Sequence, residues 1–449
     1  MDQASRALLE LGWGREPYGH PDSTLTPLRL EAVDAVLAER RERVPILERR
    51  AREAGVERVA RLSDLVPLLF PHTVYKSYPA NFVEKKRWRD LARWLTTLSS
   101  DDLTAVDFDG VADEDEWVDR LRANGHFVLA TSGTTGKYSF LPQSAEDHDR
   151  KVRTFDRVLG WPFARPARDR GYFWLGPHIG VNSATDAALI GAELWAAPGD
   201  SHFLTDDRLR LTDIGRMAAM RRRMAEGAVT PGETAAFEQA QRDREAAVAS
   251  RVDAFVDRLL DRSHEKLVIA GTWGQHLLIM RRARARGIPD GSFHPETVVS
   301  AGGGVKNVAL PEDYKEQVAA FYGEVVRTGN YGMTETFQLM SRCEKLRYHI
   351  PPALIPLVLD RTGETLLNTE DTADGATIEG RFAFVDLSIT GRWSGTITSD
   401  KVTLDTHAQC LCGRPGPTIL DTITRYQTDD DAIGCAGTID GYIRGALAS

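Results

Sequence analysis

Between Leu129 and Pro142 the chain reads LATSGTTGKYSFLP. This composition suits an anion. Backbone N–H groups of closely spaced small residues, Gly133 and Gly136 among them, can point inward as a nest. The hydroxyls of Thr131, Ser132, Thr134 and Thr135 and the ammonium of Lys137 add donors. It is not a Walker A loop, which needs G-x-x-x-x-G-K-[ST]. With Gly136-Lys137 as the GK pair, the first glycine falls on Thr131 and the residue after the lysine is Tyr138. The competing reading is a plain hairpin turn with a surface lysine.

Two further glycine-rich stretches end apolar runs. They are SAGGGVKN (300–307, with Gly302 and Gly303) and NYGMTET (330–336). In the second, Asn330 and Gly332 flank Tyr331, whose ring suits stacking on a purine. Thr334 offers a hydroxyl to phosphate. Glu335 offers a carboxylate oxygen to Mg²⁺, which keeps few protein ligands when it bridges phosphates. The alternative for Glu335 is the cap of a following helix. In GTITSDK (395–401), Asp400 can accept from both hydroxyls of a ribose, by the logic of dinucleotide sites. The alternative is a turn aspartate. His178, Trp273 and His276 are candidates to line a substrate pocket, against ordinary packing.

The cysteines are Cys343, Cys410, Cys412 and Cys435. Cys343 and His349 form C-x5-H, and Cys410 and Cys412 form C-x-C. Three thiolates and an imidazole are a usual set for closed tetrahedral Zn²⁺, a structural site with no open position. His407 rivals His349 as the fourth ligand. Buried unliganded cysteines are the alternative.

The elements that must position these residues read as α/β. Runs such as GYFWLG (171–176), KLVIAG (266–271), TVVSAGGG (297–304) and GEVVRTGNYG (323–332) are strand-like and end in glycines. They alternate with helical stretches, the signature of a mostly parallel sheet flanked by helices. Ligands in such sheets bind beyond the carboxyl ends of strands. Residues 27–60 read as helix, 205–262 as two charged helices leaving the sheet, and 380–425 as β-rich. The acids of DFDGVADEDEW read as a solvated surface.

With 449 residues the chain holds a large core, and 42% hydrophobic with 27% charged residues is ordinary for a globular protein. A net charge of −9 argues against a nucleic-acid partner. The first residues lack the apolar core of a secretory signal, and no apolar run is long enough for a membrane span. The expected location is cytoplasmic.

TSGTTGK, YGMTE and SDK, in this order and spacing, resemble the adenylate-forming (acyl-activating) enzyme superfamily, which activates a carboxylate with ATP. The resemblance implies that Thr131 to Lys137 hold the β- and γ-phosphates. It implies that Tyr331 to Glu335 contact adenine, phosphate and Mg²⁺, and that Asp400 binds ribose. TRYQTDDD (424–431) resembles the family's hinge, with Arg425 as a second ribose contact. The Cys/His set is similar to one in the phenylacetate-CoA-ligase-like branch. SDLVPLLFPHTVYKSYP (63–79), EGRFAFVDLSITGRW (379–393) and the end of the chain resemble the acyl-protein synthetases of bacterial bioluminescence, in which a cysteine near the C-terminus takes the acyl group and passes it to a partner reductase. Cys435 is the matching position.

The family's C-terminal domain brings a lysine to the α-phosphate. Here no lysine follows Lys401. The resemblance therefore implies a helical segment 1–118, an adenylate-forming core 119–425, and a short tail 426–449 in place of the small domain. The thiol acceptor is then Cys435 with a partner protein, a carrier protein, or CoA. A CoA, aryl-acid or amino-acid ligase and a degenerate nucleotide-binding subunit are the rival readings.

Overall fold

The computed structural model describes residues 1–131, 137–302, 310–369 and 371–426. The chain divides into two units, one built from residues 1–130, 139–165 and 330–426, the other from 131, 137–138, 166–302 and 310–329 among the described residues.

The second unit carries a five-stranded parallel sheet. Its order is Ala196–Thr205, Arg170–Pro177, Leu267–Thr272, Val298–Gly302, Val326–Thr328. In chain order this is 2-1-3-4-5, a doubly wound arrangement whose direction switches between the first and third strands. The three central strands read as apolar runs because Phe173, Leu267, Ile269 and Val299 pack with the helices Trp273–Ala285 and Pro231–Asp261, whereas the edge strand Ala196–Thr205 is largely polar. The charged stretch expected as two helices is Leu211–Ala225 followed by Pro231–Asp261. Thr230 and Glu233 form a capping box at the start of the second.

The first unit holds a seven-stranded sheet that is antiparallel except where Phe70–Pro71 joins it. This is the β-rich region expected over 380–425, with strands Thr377–Asp386, Gly395–Asp405, Thr418–Leu420 and Thr424–Arg425. A loop over 360–376 and a turn over 387–394 join Leu354–Leu359, Thr377–Asp386 and Gly395–Asp405, with no helical crossover among the described residues. Both faces are buried. Ile355, Leu357, Leu359, Ala383 and Val385 pack with the N-terminal helices, whereas Leu354, Val358, Phe382 and Phe384 pack with Tyr331, Met340 and Tyr348. Burial on both faces explains why LIPLVL and FAFV lack alternation. The helical stretch 27–60 resolves into Asp22–Arg41 and Pro45–Ala54, with Gly55 in the left-handed region after the second. The acidic stretch 107–117 is only partly solvated, because Glu114 and Asp115 are buried in the first turn of helix Glu114–Ala123.

Candidate active site and metal centre

The strand Phe127–Thr131 runs into the anion-loop sequence and pairs with Ser139–Gln143 beyond it. A strand, not a helix, follows the loop, which agrees with the failed Walker A spacing. Thr131 is buried and Lys137 partly buried, while Ser132, Gly133, Thr134, Thr135 and Gly136 lie outside the described residues. So does Gly303. Gly302 ends the fourth strand of the parallel sheet.

In the first unit the 330–336 stretch meets Asp400. Asp400 sits in the long strand Gly395–Asp405, directly opposite Arg425 in the register. Its Oδ2 accepts from the Tyr331 hydroxyl at 2.8 Å, and its Oδ1 pairs with Arg425 Nε at 2.8 Å. A carboxylate has about four acceptor directions, so two remain for hydroxyl donors. Burial, then the Asp400 charge, pushes the Tyr331 phenol well above its ordinary value, with Glu335 contributing in the same direction. Glu335 also helps burial to raise the Tyr75 phenol, which the Arg392 charge opposes. The Glu335 charge thus acts on both Tyr331 and Tyr75. Tyr331 is placed differently from a free stacking platform. It is only 9% exposed, with Phe382 and Tyr348 rings 5.6 and 6.0 Å away.

No helix follows Glu335 among the described residues. Two-residue strands Asn330–Tyr331 and Met340–Ser341 pair instead, so Glu335 is not a helix cap. Asn330 Oδ1 accepts from Ser341 Oγ at 2.7 Å. A Cβ on Gly332 would lie 2.5 Å from Leu339 Cδ2, so a side chain there would push the Leu339 side chain aside. Thr334 and Glu335 are both buried.

The proposed pocket residues separate. His178 follows the first strand of the parallel sheet and Trp273 opens the helix after the third, both at the switch point where such sheets take ligands. His178 stacks on Phe203 at 4.0 Å, and Trp273 meets Tyr314 edge-on at 5.2 Å. His276 is instead a core residue. It is fully buried, with Nδ1 2.9 Å from the Tyr322 hydroxyl and Nε2 3.3 Å from the Ser300 carbonyl oxygen. Burial lowers its pKa to about 4, so it stays neutral. The apolar helix face around it, HLLIM, was the signal against a pocket role.

Cys343, His349, Cys410 and Cys412 bring their ligand atoms within 4.8 Å of one another. Zn–S bonds of about 2.3 Å in a tetrahedron put sulfurs roughly 3.8 Å apart and sulfur roughly 3.5 Å from nitrogen. Cys412 Sγ and His349 Nε2 stand 3.4 Å apart, so this donor set fits. His407 is outside the cluster. It is exposed and its Nδ1 is bonded to Asp405.

Two matching turns present the thiols. Leu346 N–H donates to the Cys343 carbonyl and Gly413 N–H to the Cys410 carbonyl. Cys343 and Cys410 then donate their own N–H groups to the carbonyls of Arg347 and Arg414. The fourth residue of each turn is left-handed, Leu346 at φ 56° and Gly413 at φ 87°. The sequence spacings C-x5-H and C-x-C hide this likeness. Burial raises Cys343 and Cys410, the latter to about 12, whereas hydrogen bonds from Arg414 and the neighbouring thiols outweigh burial at Cys412 and lower it. Burial, with Arg414 adding to it, lowers His349 to about 4, leaving a neutral imidazole able to ligate.

Sequence reasoning missed three residues that hold the Glu335 segment or the turn beside it. Arg392, 1% exposed, donates to the Glu335 carbonyl at 2.9 Å and to the Pro142 carbonyl at 2.8 Å. Asp386, fully buried, accepts from Thr336 Oγ1 at 2.7 Å and Phe337 N at 2.8 Å. Asp147 ties the turn between them. A signal existed, since FAFVDL places a carboxylate directly after a buried run, where it needs donors.

No protein-family model matches the chain, and no curated protein does. Solved structures match in part. MatB from Rhodopseudomonas palustris, ATP bound, is 16% identical over 65% of this chain and 47% of its own, with a TM-score of 0.37. McyG A-PCP, complexed with phenylalanyl-adenylate, is 11% identical over 67% and 47%, with a TM-score of 0.35. The Vibrio cholerae adenylation domain AlmE, with glycyl-adenosine-5'-phosphate, is 13% identical over 64% and 49%, with a TM-score of 0.34. The chain spans about half the length of these structures, and at such scores the likeness says nothing of substrate or activity.

Proposed function

We propose that the chain activates a carboxylic acid with ATP through an acyl-adenylate. One observation carries the reading. Tyr331, Asp400 and Arg425, widely separated in the chain, meet through both oxygens of one buried carboxylate, with Glu335 in the same neighbourhood. These are the residues that the ordered motifs assign to adenine, ribose and Mg²⁺. An oxygen of the acid attacks the α-phosphorus in line, the bond to the bridging oxygen breaks, and pyrophosphate leaves. Such a reaction needs positioning and charge neutralisation more than covalent help. In this reading Asp400 accepts from the ribose hydroxyls while its Oδ1 stays paired with Arg425. Glu335 holds Mg²⁺, whose charge offsets that of the phosphates. Thr131 to Lys137 donate to the β- and γ-phosphates, and Thr334 donates to phosphate.

The acyl group then passes to a thiol. The sulfur attacks the acyl carbonyl, the acyl–phosphate bond breaks, and AMP leaves with the electron pair. The resemblance to acyl-protein synthetases assigns that thiol to Cys435, which lies outside the described residues. A carrier protein or CoA is the alternative acceptor. Zn²⁺ held by Cys343, His349, Cys410 and Cys412 would be structural, joining the turn after Glu335's segment to the end of the seven-stranded sheet.

Acid-dependent exchange of labelled pyrophosphate into ATP tests the proposal. Fatty, aromatic and amino acids form the panel. Exchange with one class is expected. No exchange with any of them, together with no binding of Mg·ATP, refutes it.

A further inference from the structure

Glu335 lies in a segment without regular structure of its own, between two-residue strands. Something else must fix it. The turn 387–394 joins strands Thr377–Asp386 and Gly395–Asp405 and reaches the segment from both of its ends. At one end Asp386 takes the hydroxyl of Thr336 and the N–H of Phe337 on Oδ2, while its Oδ1 takes Ser388 N and Oγ. At the other end Arg392 donates to the Glu335 carbonyl and, with its second terminal nitrogen, to the Pro142 carbonyl. Pro142 belongs to Ser139–Gln143, the strand that leaves the anion-loop sequence. The guanidinium lies 5.7 Å from the Phe337 ring and 5.8 Å from the Tyr75 ring. The tip of the turn, Thr390 and Gly391, is bonded to Asp147. A Cβ on Gly391 would stand 2.6 Å from the Gln143 backbone, so the turn and the strand end are in direct contact.

A buried guanidinium spent on two backbone carbonyls is a costly way to hold a loop, unless the relative position of the two strands matters. We infer that Arg392 is a positioning residue. It fixes the Glu335 backbone against the strand Ser139–Gln143, and so sets the position of the proposed Mg²⁺ ligand. The inference rests on the nucleotide reading above. Lysine cannot replace it, because a single ammonium does not span two carbonyls in a fixed fork.

The test compares Arg392→Lys with Arg29→Lys. Arg29 is the matched control. It is 4% exposed and donates to the carbonyls of Pro351 and Pro352, besides pairing with Asp22 Oδ1 at 3.0 Å, with no bond to the 334–338 segment. Both variants are expected to lose thermal stability to a similar extent. Only Arg392→Lys is expected to lower the exchange rate, by about 10- to 100-fold for an ångström-scale displacement. It should also raise the Mg²⁺ concentration for half-maximal exchange several-fold, with ATP affinity in calorimetry little changed. Should Arg392→Lys not fold, Thr336→Val removes the bond on the opposite side of the segment and is read the same way. A wild type that neither exchanges nor binds Mg·ATP overturns the nucleotide reading and the inference with it. An active wild type, with Arg392→Lys matching Arg29→Lys in rate and Mg²⁺ requirement, overturns the inference alone.

Discussion

Replacing Asp147 by asparagine is expected to weaken the first unit by about 4 kcal/mol and to loosen the 387–394 turn. Asp147 is the third residue of helix Ala145–Val158 and forms a capping box with Ser144. Its Oδ2 accepts the N–H of Ser144 at 2.9 Å and of Gly391 at 2.8 Å. Its Oδ1 accepts the N–H and hydroxyl of Thr390, both at 2.7 Å, and the Arg150 guanidinium. An amide nitrogen at either position faces donors, so at least two buried donors lose their acceptor. At about 1–3 kcal/mol for each, the loss is about 2–6 kcal/mol, a large share of the ~5–15 kcal/mol typical of a domain. The pH dependence has a definite sign. Burial raises the carboxyl, but the bond from Ser144, the Arg150 charge and the two bonds from Thr390 outweigh it and hold the group below the ordinary aspartate value. Its stabilisation is therefore present above pH ~4 and disappears as pH falls through the lower folded value. Urea unfolding at pH 7 should separate wild type from variant, and the gap should narrow toward pH 3. Hydrogen exchange of peptide 387–394 should accelerate in the variant at pH 7. An unchanged unfolding midpoint with unchanged exchange in that peptide refutes the assignment of Asp147 as the anchor of the turn.

Protein purified without added metal should contain one Zn²⁺ per chain by elemental analysis, and Cys410→Ser should lose it together with stability; less than about a tenth of an equivalent, given how tightly structural zinc binds, refutes the site. Leu346→Gly should stabilise by about 0.5–1 kcal/mol, since Leu346 is exposed and a Cβ at positive φ costs ~1–2 kcal/mol against ~0.5–1 for glycine's extra entropy; thermal melts decide it. Asp400→Ala should raise the ATP requirement of pyrophosphate exchange, whereas Glu335→Ala should abolish most of its Mg²⁺-dependent rate; equal, unchanged kinetics in both refutes the nucleotide site. With ATP and a labelled acid, Cys435→Ser should still make acyl-AMP but form no hydroxylamine-sensitive acyl-protein by peptide mapping; acyl transfer at the wild-type rate refutes Cys435 as the acceptor.

Four of the five parallel strands were legible because each lies in an apolar run closed by glycine, whereas the edge strand Ala196–Thr205, AAPGDSHFLT, carries no such pattern. The packing of residues 1–130 with 330–426 was not legible either. Trp393 Nε1 donates to the Leu68 carbonyl and Tyr75 donates to the Trp393 carbonyl, across more than three hundred residues. Nothing in either stretch names the other. The thiols were legible as a set because few residue types bind zinc and three of the four cysteines fall into the C-x5-H and C-x-C pairs. The choice of His349 over His407 was not, since both lie near a cysteine in sequence and only the strand pairing of Arg347–His349 with Thr418–Leu420 brings one of them in. Motif spacing marked Tyr331, Glu335 and Asp400. It gave no hint that Asp400 would hold Tyr331's hydroxyl, because that bond depends on a register between distant strands.

The segment from Asn330 to His349 explains why so much support surrounds it. Its regular structure is limited to strands of two or three residues, too short to be stable alone. Each of its parts is instead fixed from outside. Asp400 takes Tyr331, and Arg392 and Asp386 take Glu335 to Phe337. Tyr18 donates to the Leu339 carbonyl and accepts from Ser341 N–H, and it too is fully desolvated, which pushes its phenol up. The cysteine turns then hold the far end at Cys343 and His349. A functional backbone held by side chains from several elements is set to a geometry that no single helix or strand would give it. On this view the Cys/His cluster and the 387–394 turn serve the same purpose from opposite ends of one segment. Loss of zinc should therefore reach Glu335 through Ser341 and Met340, and a Cys410→Ser variant should lose pyrophosphate exchange even where it remains folded.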